Sequence, residues 1–149
     1  MIIRSIADAV GRGLVAGLAG TAAMTVSSTI EAKVNKRGSS STPADAAGKV
    51  AGVEPTEQGE ERFNNLVHWS YGTGWGAVRG LIGLVGLRGP VASLAHLGAV
   101  WGAEQVVLPT LDVGSPVWKY GPTAVGIDAL HHVVYAAATG AVYDWLDTR

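Results

Sequence analysis

Residues 6–30, IADAVGRGLVAGLAGTAAMTVSSTI, form the stretch that decides the fold. A helix of this length extends about 37 Å, which exceeds the roughly 30 Å hydrocarbon core of a bilayer. Gly13, Gly17 and Thr21 recur every four residues and therefore lie on one face of such a helix. Small residues at this spacing let helix backbones approach closely in lipid. The stretch therefore predicts a transmembrane helix with a packing face of small residues.

Three further stretches carry almost no charge and are about long enough to cross a bilayer: residues 63–87, 91–108 and 124–146. With residues 6–30 they predict an all-α fold, an integral membrane four-helix bundle, in a single transmembrane domain over residues 1–149. The composition agrees, because 48% of the residues are hydrophobic and only 15% are charged. The alternative is a soluble helical bundle with a Gly/Ala-rich core, which would be recovered in the aqueous fraction without detergent.

The connection between the first two predicted spans, residues 31–62, is polar and contains its own helix signals. Thr42 is placed to cap a short helix that has Pro43 at its first position and ends near Gly52. Thr56, followed by acidic residues, predicts the start of the next long helix. The expected fold therefore includes a polar loop with a short helix between helices 1 and 2.

Turn signals set the remaining topology. In residues 87–90, Gly89 suits the left-handed position after a helix and Pro90 suits the start of the next, which predicts an antiparallel hairpin. Pro109 is expected to close the third span. Trp118, in the turn-rich segment that follows, and Trp145, near the chain end, suit the headgroup regions.

Composition and charge exclude several classes of function. The net charge of −1 and the scattered basic residues offer no surface for nucleic acid. The absence of cysteine excludes disulfides and thiolate metal sites. Neither a nucleophile elbow nor a phosphate-binding loop is present, so the sequence favours a protein without enzymatic activity. The predicted location is the cell membrane, with several spans, and Arg12 and Arg88 beside short connections favour cytoplasmic termini.

Ionisable residues inside the spans are the candidates for specific function, because a charge at membrane depth costs a few kcal/mol or more. The rise per residue places one group in the leaflet that faces the polar loop. This group comprises His68, Glu104, Asp128 and His131. A secondary polar set comprises Arg79, His96, Tyr71 and His132, of which Arg79 and His96 fall in the other leaflet.

The first group supports two hypotheses. In the first, Glu104 and Asp128 accept hydrogen bonds from neighbouring side chains in a buried structural network that fixes helix register. In the second, the imidazoles and carboxylates form an intramembrane metal or proton site of a small transporter or metalloprotein, since such ligands suit Zn, Fe, Mn or Ni. A haem needs two facing imidazoles and a macrocycle pocket, which nothing in the chain marks, so no cofactor is predicted.

Arg79 has two alternative roles. It is either a structural residue, in an interior ion pair or with a snorkelling side chain, or a residue that contacts an anion or a lipid headgroup.

The motifs GLVAGLAGTAAM at residues 13–24, RGSSSTPAD at residues 37–45 and HWSYGTGWG at residues 68–76 resemble those of small bacterial membrane proteins of uncharacterised function, of an actinobacterial type. The resemblance implies a four-helix membrane fold and carries no activity. The sequence therefore predicts a small polytopic membrane protein with an accessory or interaction role. Its expected partners are the lipid bilayer and either further copies of itself or a larger membrane complex.

Overall fold

The computed structural model describes residues 2–38 and 40–147, and this part of the chain is all-helical. Its five α-helices are α1 (Ile2–Val34), α2 (Thr42–Ala51), α3 (Glu57–Leu84), α4 (Gly89–Thr110) and α5 (Pro122–Leu146), with a 3₁₀ turn at Val117–Lys119. Met1, Ser39, Thr148 and Arg149 lie outside the described residues. The predicted all-α class is confirmed, and all four predicted long helices and the short one are present.

The helix ends follow local signals with small departures. Helix α3 begins directly after Thr56, as predicted, and Gly52 takes the left-handed conformation after α2, with φ 65°. The cap of α2 is Ser41 rather than Thr42. Helix α3 ends at Leu84, before residue 87, because the chain already turns at Gly86, with φ 90°.

Helix α1 packs mainly against α3 and α5, while α4 packs on α5 and, to a lesser extent, on α3. The contact between α1 and α3 is made by backbone. A Cβ added to Gly13 would collide with the Gly76 carbonyl group, and one added to Gly76 would collide with that of Gly13. A Cβ at Gly17 would lie 2.6 Å from the Thr73 carbonyl oxygen. The predicted packing face of α1 is confirmed, because only glycine lets the two helices approach this closely.

The polar connection folds back onto one end of the bundle. Helix α2 contacts α3, and Lys49 Nζ donates to the carbonyl oxygens of Leu111 (2.6 Å) and Asp112 (3.2 Å) beyond α4. Asn64 of α3 donates to the Ser40 carbonyl oxygen at 3.1 Å. Helix α2 is thus fixed beside the connection from α4 to α5, at the rim of the bundle.

Among the residues that the structure describes, two helical segments are long and apolar enough to cross a membrane: Ser5–Val34 of α1 and Gly89–Thr110 of α4. Helices α3 and α5, which the sequence also predicts to span, fall short of this measure of apolarity. They carry Arg, His and Asp side chains, which lower their mean hydropathy.

Gly76→Ala tests the backbone contact between α1 and α3. Its Cβ would meet the Gly13 carbonyl group and lie 2.6 Å from the Gly17 Cα, so we expect the free energy of unfolding to fall by about 1–3 kcal/mol. Gly74→Ala is the matched control, because a Cβ there meets nothing within 4 Å. It should leave stability unchanged or raise it by up to about 1 kcal/mol through helix propensity. Denaturant unfolding followed by circular dichroism measures both; equal stability of the two variants would contradict the contact.

Candidate functional site

Glu104, Asp128 and His132 bring their ligand-type atoms together between α4 and α5. Each residue contributes one carboxylate oxygen or ring nitrogen, and these three atoms all lie within 4.8 Å of one another. His132 Nε2 is 2.9 Å from Glu104 Oε2, and His132 Nδ1 is 3.4 Å from Asp128 Oδ1. The His132 side chain is 11% exposed and that of Glu104 is 24% exposed. We call these three residues the α4–α5 cluster.

Neighbouring groups hold the α4–α5 cluster in position. Asp128 is one helical turn before His132, and its carbonyl oxygen lies 2.9 Å from His132 Nδ1. A carbonyl oxygen only accepts, so Nδ1 carries a proton in this contact. The Asp128 carboxylate accepts a hydrogen bond from Trp101 Nε1 at 2.7 Å. Ring and carboxylate orientations are therefore both fixed by hydrogen bonds.

The contact between His132 and Glu104 is not an ordinary hydrogen bond. Although Glu104 Oε2 lies 2.9 Å from the ring nitrogen, it is buried and has no aligned hydrogen-bond donor in the part of the chain that the structure describes. A neutral imidazole protonated at Nδ1 directs a lone pair from Nε2, and a lone pair facing a carboxylate oxygen is repulsive. A cation between these atoms, either a proton or a metal ion, removes the repulsion.

A cleft of about 200 Å³ lies beside the α4–α5 cluster. Its lining includes Glu104, Asp128, Gln105 and, at the exposed rim, Ser115 and Tyr120. The rim is formed by the connection between α4 and α5, the same segment that α2 contacts. The cleft therefore leads from the surface of the bundle to both carboxylates of the cluster.

His131, one residue before His132, points to a different helix. Its Nδ1 lies 2.8 Å from Ser27 Oγ of α1, and its Nε2 lies 3.6 Å from Glu31 Oε2. Glu31 in turn accepts hydrogen bonds from the Arg37 guanidinium, and this contact raises the pKa of Arg37 in the loop after α1. His131 thus belongs to a polar contact between α1 and α5.

His68 and Tyr71, both on α3, lie apart from the α4–α5 cluster. His68 Nε2 is 2.9 Å from Thr25 Oγ1, and that hydroxyl donates to the Thr21 carbonyl oxygen of α1. Tyr71 is 49% exposed and makes an edge contact with Trp75. Of the predicted first group, the structure therefore brings together Glu104 and Asp128 but joins them to His132, not to His68 or His131.

A second buried charge lies near the opposite end of the bundle. Arg79 of α3 is 1% exposed, donates to Asp144 Oδ1 of α5 at 2.5 Å, and lies over the Tyr143 ring at 4.4 Å from its centroid. This is the interior ion pair that the sequence offered as one alternative for Arg79. His96 of α4 is fully buried, with Nε2 at 3.0 Å from the Trp75 carbonyl oxygen.

Sequence reasoning did not include Asp144, the partner of Arg79. A usable signal was present, because α3 and α5 run in the same direction through the bundle. Counting back from their final residues places Arg79 about 8 Å and Asp144 about 3 Å from the helix ends. Opposite charges at similar depth on two helices predict a pair.

Asp144→Asn tests the contribution of this ion pair. Asparagine keeps the shape but removes the negative charge, which leaves the buried Arg79 guanidinium without its counter-ion. Because the Asp144 side chain is 39% exposed, water screens part of the interaction, and we expect a loss of about 1–2 kcal/mol in the free energy of unfolding. Asp8→Asn, at an exposed position near the same end, is the control and should change stability by less than about 0.5 kcal/mol. Indistinguishable stabilities would argue against the pair.

Comparison with known proteins found no matching family, curated protein or solved structure.

Proposed function

We propose that the chain is a small four-helix integral membrane protein with an accessory or interaction role, in which α1, α3, α4 and α5 all cross the bilayer. The observation that carries the proposal is the inverted distribution of side chains. The buried hydrophobic positions are mostly alanines, whereas the largest fully buried side chains are Arg79, Tyr143, His96, Thr21 and Thr139. Many large aliphatic side chains, by contrast, are exposed.

The outer surface supports a lipid environment. Val15, Leu18, Leu94, Val106 and Leu130 are each at least half exposed along the lengths of three helices. In the apolar 18-residue stretches of α1 and α4, only 28% and 17% of the stretch is buried within the bundle. The core helix of a water-soluble protein, by contrast, is mostly buried. Exposed apolar surface on this scale marks a membrane or protein contact.

The cationic side chains in the apolar parts of α3 and α5 are compatible with a membrane because they are directed inward. Arg79 and His132 are buried, and they contact Asp144 and Glu104 respectively. Polar side chains inside a bundle satisfy their bonds within the protein and do not meet hydrocarbon. Both helices are long enough to cross the hydrocarbon core, which is about 30 Å thick. This holds for the whole of α5 and for the part of α3 that follows its acidic first turns.

Exposed tryptophans support the same placement in the bilayer. Trp118, in the connection from α4 to α5, is 80% exposed, and Trp145, at the end of α5, is 75% exposed. They lie at opposite ends of α5, where the two headgroup regions would be. Association with further copies or with a larger membrane complex stays a prediction.

Labelling of single cysteines tests the four spans directly, because the natural chain has no cysteine to react in the background. Gly38→Cys, Leu87→Cys and Ser115→Cys place thiols at exposed positions in the three connections. Four spans predict that a membrane-impermeant maleimide reaches Cys at 38 and 115 from one side and at 87 only from the other. With cytoplasmic termini, the first two react in intact cells and the third after permeabilisation.

Each alternative gives a different labelling pattern. If only α1 and α4 crossed the membrane, positions 38 and 87 would share a side and position 115 would lie opposite. A soluble bundle would expose all three positions in one compartment. Either pattern would overturn the proposal, whereas a mirror image of the expected pattern would reverse only the predicted orientation.

A further inference from the structure

We propose that Glu104, Asp128 and His132 form a binding site for one divalent transition-metal ion, reached through the cleft between α4 and α5. This site goes beyond the proposed membrane function, and its geometry does not depend on the medium around the helices.

The ligand set is the first support. Two carboxylates and one imidazole suit divalent ions such as Mn²⁺, Fe²⁺ and Zn²⁺, which accept mixed oxygen and nitrogen ligands. Ligand atoms about 2.0–2.2 Å from a shared ion lie roughly 3 Å apart when adjacent. His132 Nε2 and Glu104 Oε2 have this separation, 2.9 Å, without the alignment of a hydrogen bond. One carboxylate oxygen of Asp128 lies within 4.8 Å of one ring nitrogen of His132 and of one carboxylate oxygen of Glu104.

Charge balance favours a dication over a proton. Two carboxylates close together in a partly buried position repel each other strongly because the local dielectric constant is low. A proton shared with His132 leaves the α4–α5 cluster with a net charge of −1. A divalent ion bound to neutral His132 makes the cluster neutral, which is the less costly state inside a bundle.

Surrounding contacts orient the ligands as a metal site requires. His132 Nδ1 faces the Asp128 carbonyl oxygen at 2.9 Å, which leaves Nε2 as the free ligand atom. Trp101 Nε1 donates to Asp128 Oδ2 at 2.7 Å, and the other carboxylate oxygen, Oδ1, lies on the His132 side at 3.4 Å from Nδ1. Hydrogen bonds of this kind from outside the coordination sphere fix ring and carboxylate orientation in metal sites.

Access is provided by the adjacent cleft of about 200 Å³, whose lining includes Glu104, Asp128 and the exposed Ser115 and Tyr120. Three protein ligands leave coordination positions for water or a small ligand entering by this route. The cleft is bordered by both carboxylate residues, so two of the three proposed ligands lie along the route of entry.

Equilibrium dialysis of the purified full-length protein against Zn²⁺, and separately against Mn²⁺, tests the site. We expect one ion per chain, and His132→Ala should weaken binding more than about 100-fold, since even the loss of an outer hydrogen-bonding partner weakens metal binding by about 10–100-fold. His131→Ala is the matched control: it removes a neighbouring imidazole that contacts Ser27, and it should change affinity less than about threefold.

Glu104→Gln keeps the test decisive if His132→Ala fails to fold. Glutamine preserves size and an accepting oxygen, so a structural network would tolerate it, whereas a metal site should lose affinity more than about tenfold. Circular dichroism of the same samples confirms folding. A folded natural protein that binds neither ion would overturn the proposal, as would equal losses in His131→Ala and His132→Ala. The dialysis gives its answer in detergent or in plain buffer, so failure of the metal site and failure of the membrane proposal are distinguishable.

Discussion

The rest of the structure depends on the direct backbone contact between α1 and α3. Gly13 and Gly17 meet Thr73 and Gly76 so closely that a single added methyl group on either side would overlap the opposite backbone. In the membrane setting that we propose, water does not drive helices together, so attraction between them requires this close fit. The contact sets the rotation of α1 and thereby directs the remainder of its polar face towards α3 and α5.

That rotation explains how the polar side chains are distributed between helices. Helix α1 offers Thr25 to His68 of α3 and Ser27 to His131 of α5. Helix α5 lies between α1 and α4, and its consecutive histidines divide accordingly, since His132 contacts Glu104 of α4. Each of these three polar contacts joins a different pair of helices. The interior therefore fixes the register of the helices, and the outer surface stays apolar.

The helices were predictable because their signals are local. Thr56, Gly52 and Gly89 act on the residues next to them, and the glycine spacing of α1 is visible without knowledge of its partner.

The α4–α5 cluster was predictable only in part. His131 and His132 lie about 60° and 40° from Asp128 around the same helix, so spacing alone does not choose between them. The choice depends on which helix each one faces, and this is a property of the assembled bundle. The pairing of Arg79 with Asp144 is long-range for the same reason.

The central claim is that lipid surrounds the exposed aliphatic side chains of these helices. Alkaline carbonate extraction of membranes from expressing cells tests it most directly, because high pH strips peripheral proteins and leaves those with helices in the hydrocarbon core. We predict that the protein stays in the membrane pellet and is released only by detergent. Recovery in the carbonate supernatant, as a monodisperse helical protein that needs no detergent, would contradict it.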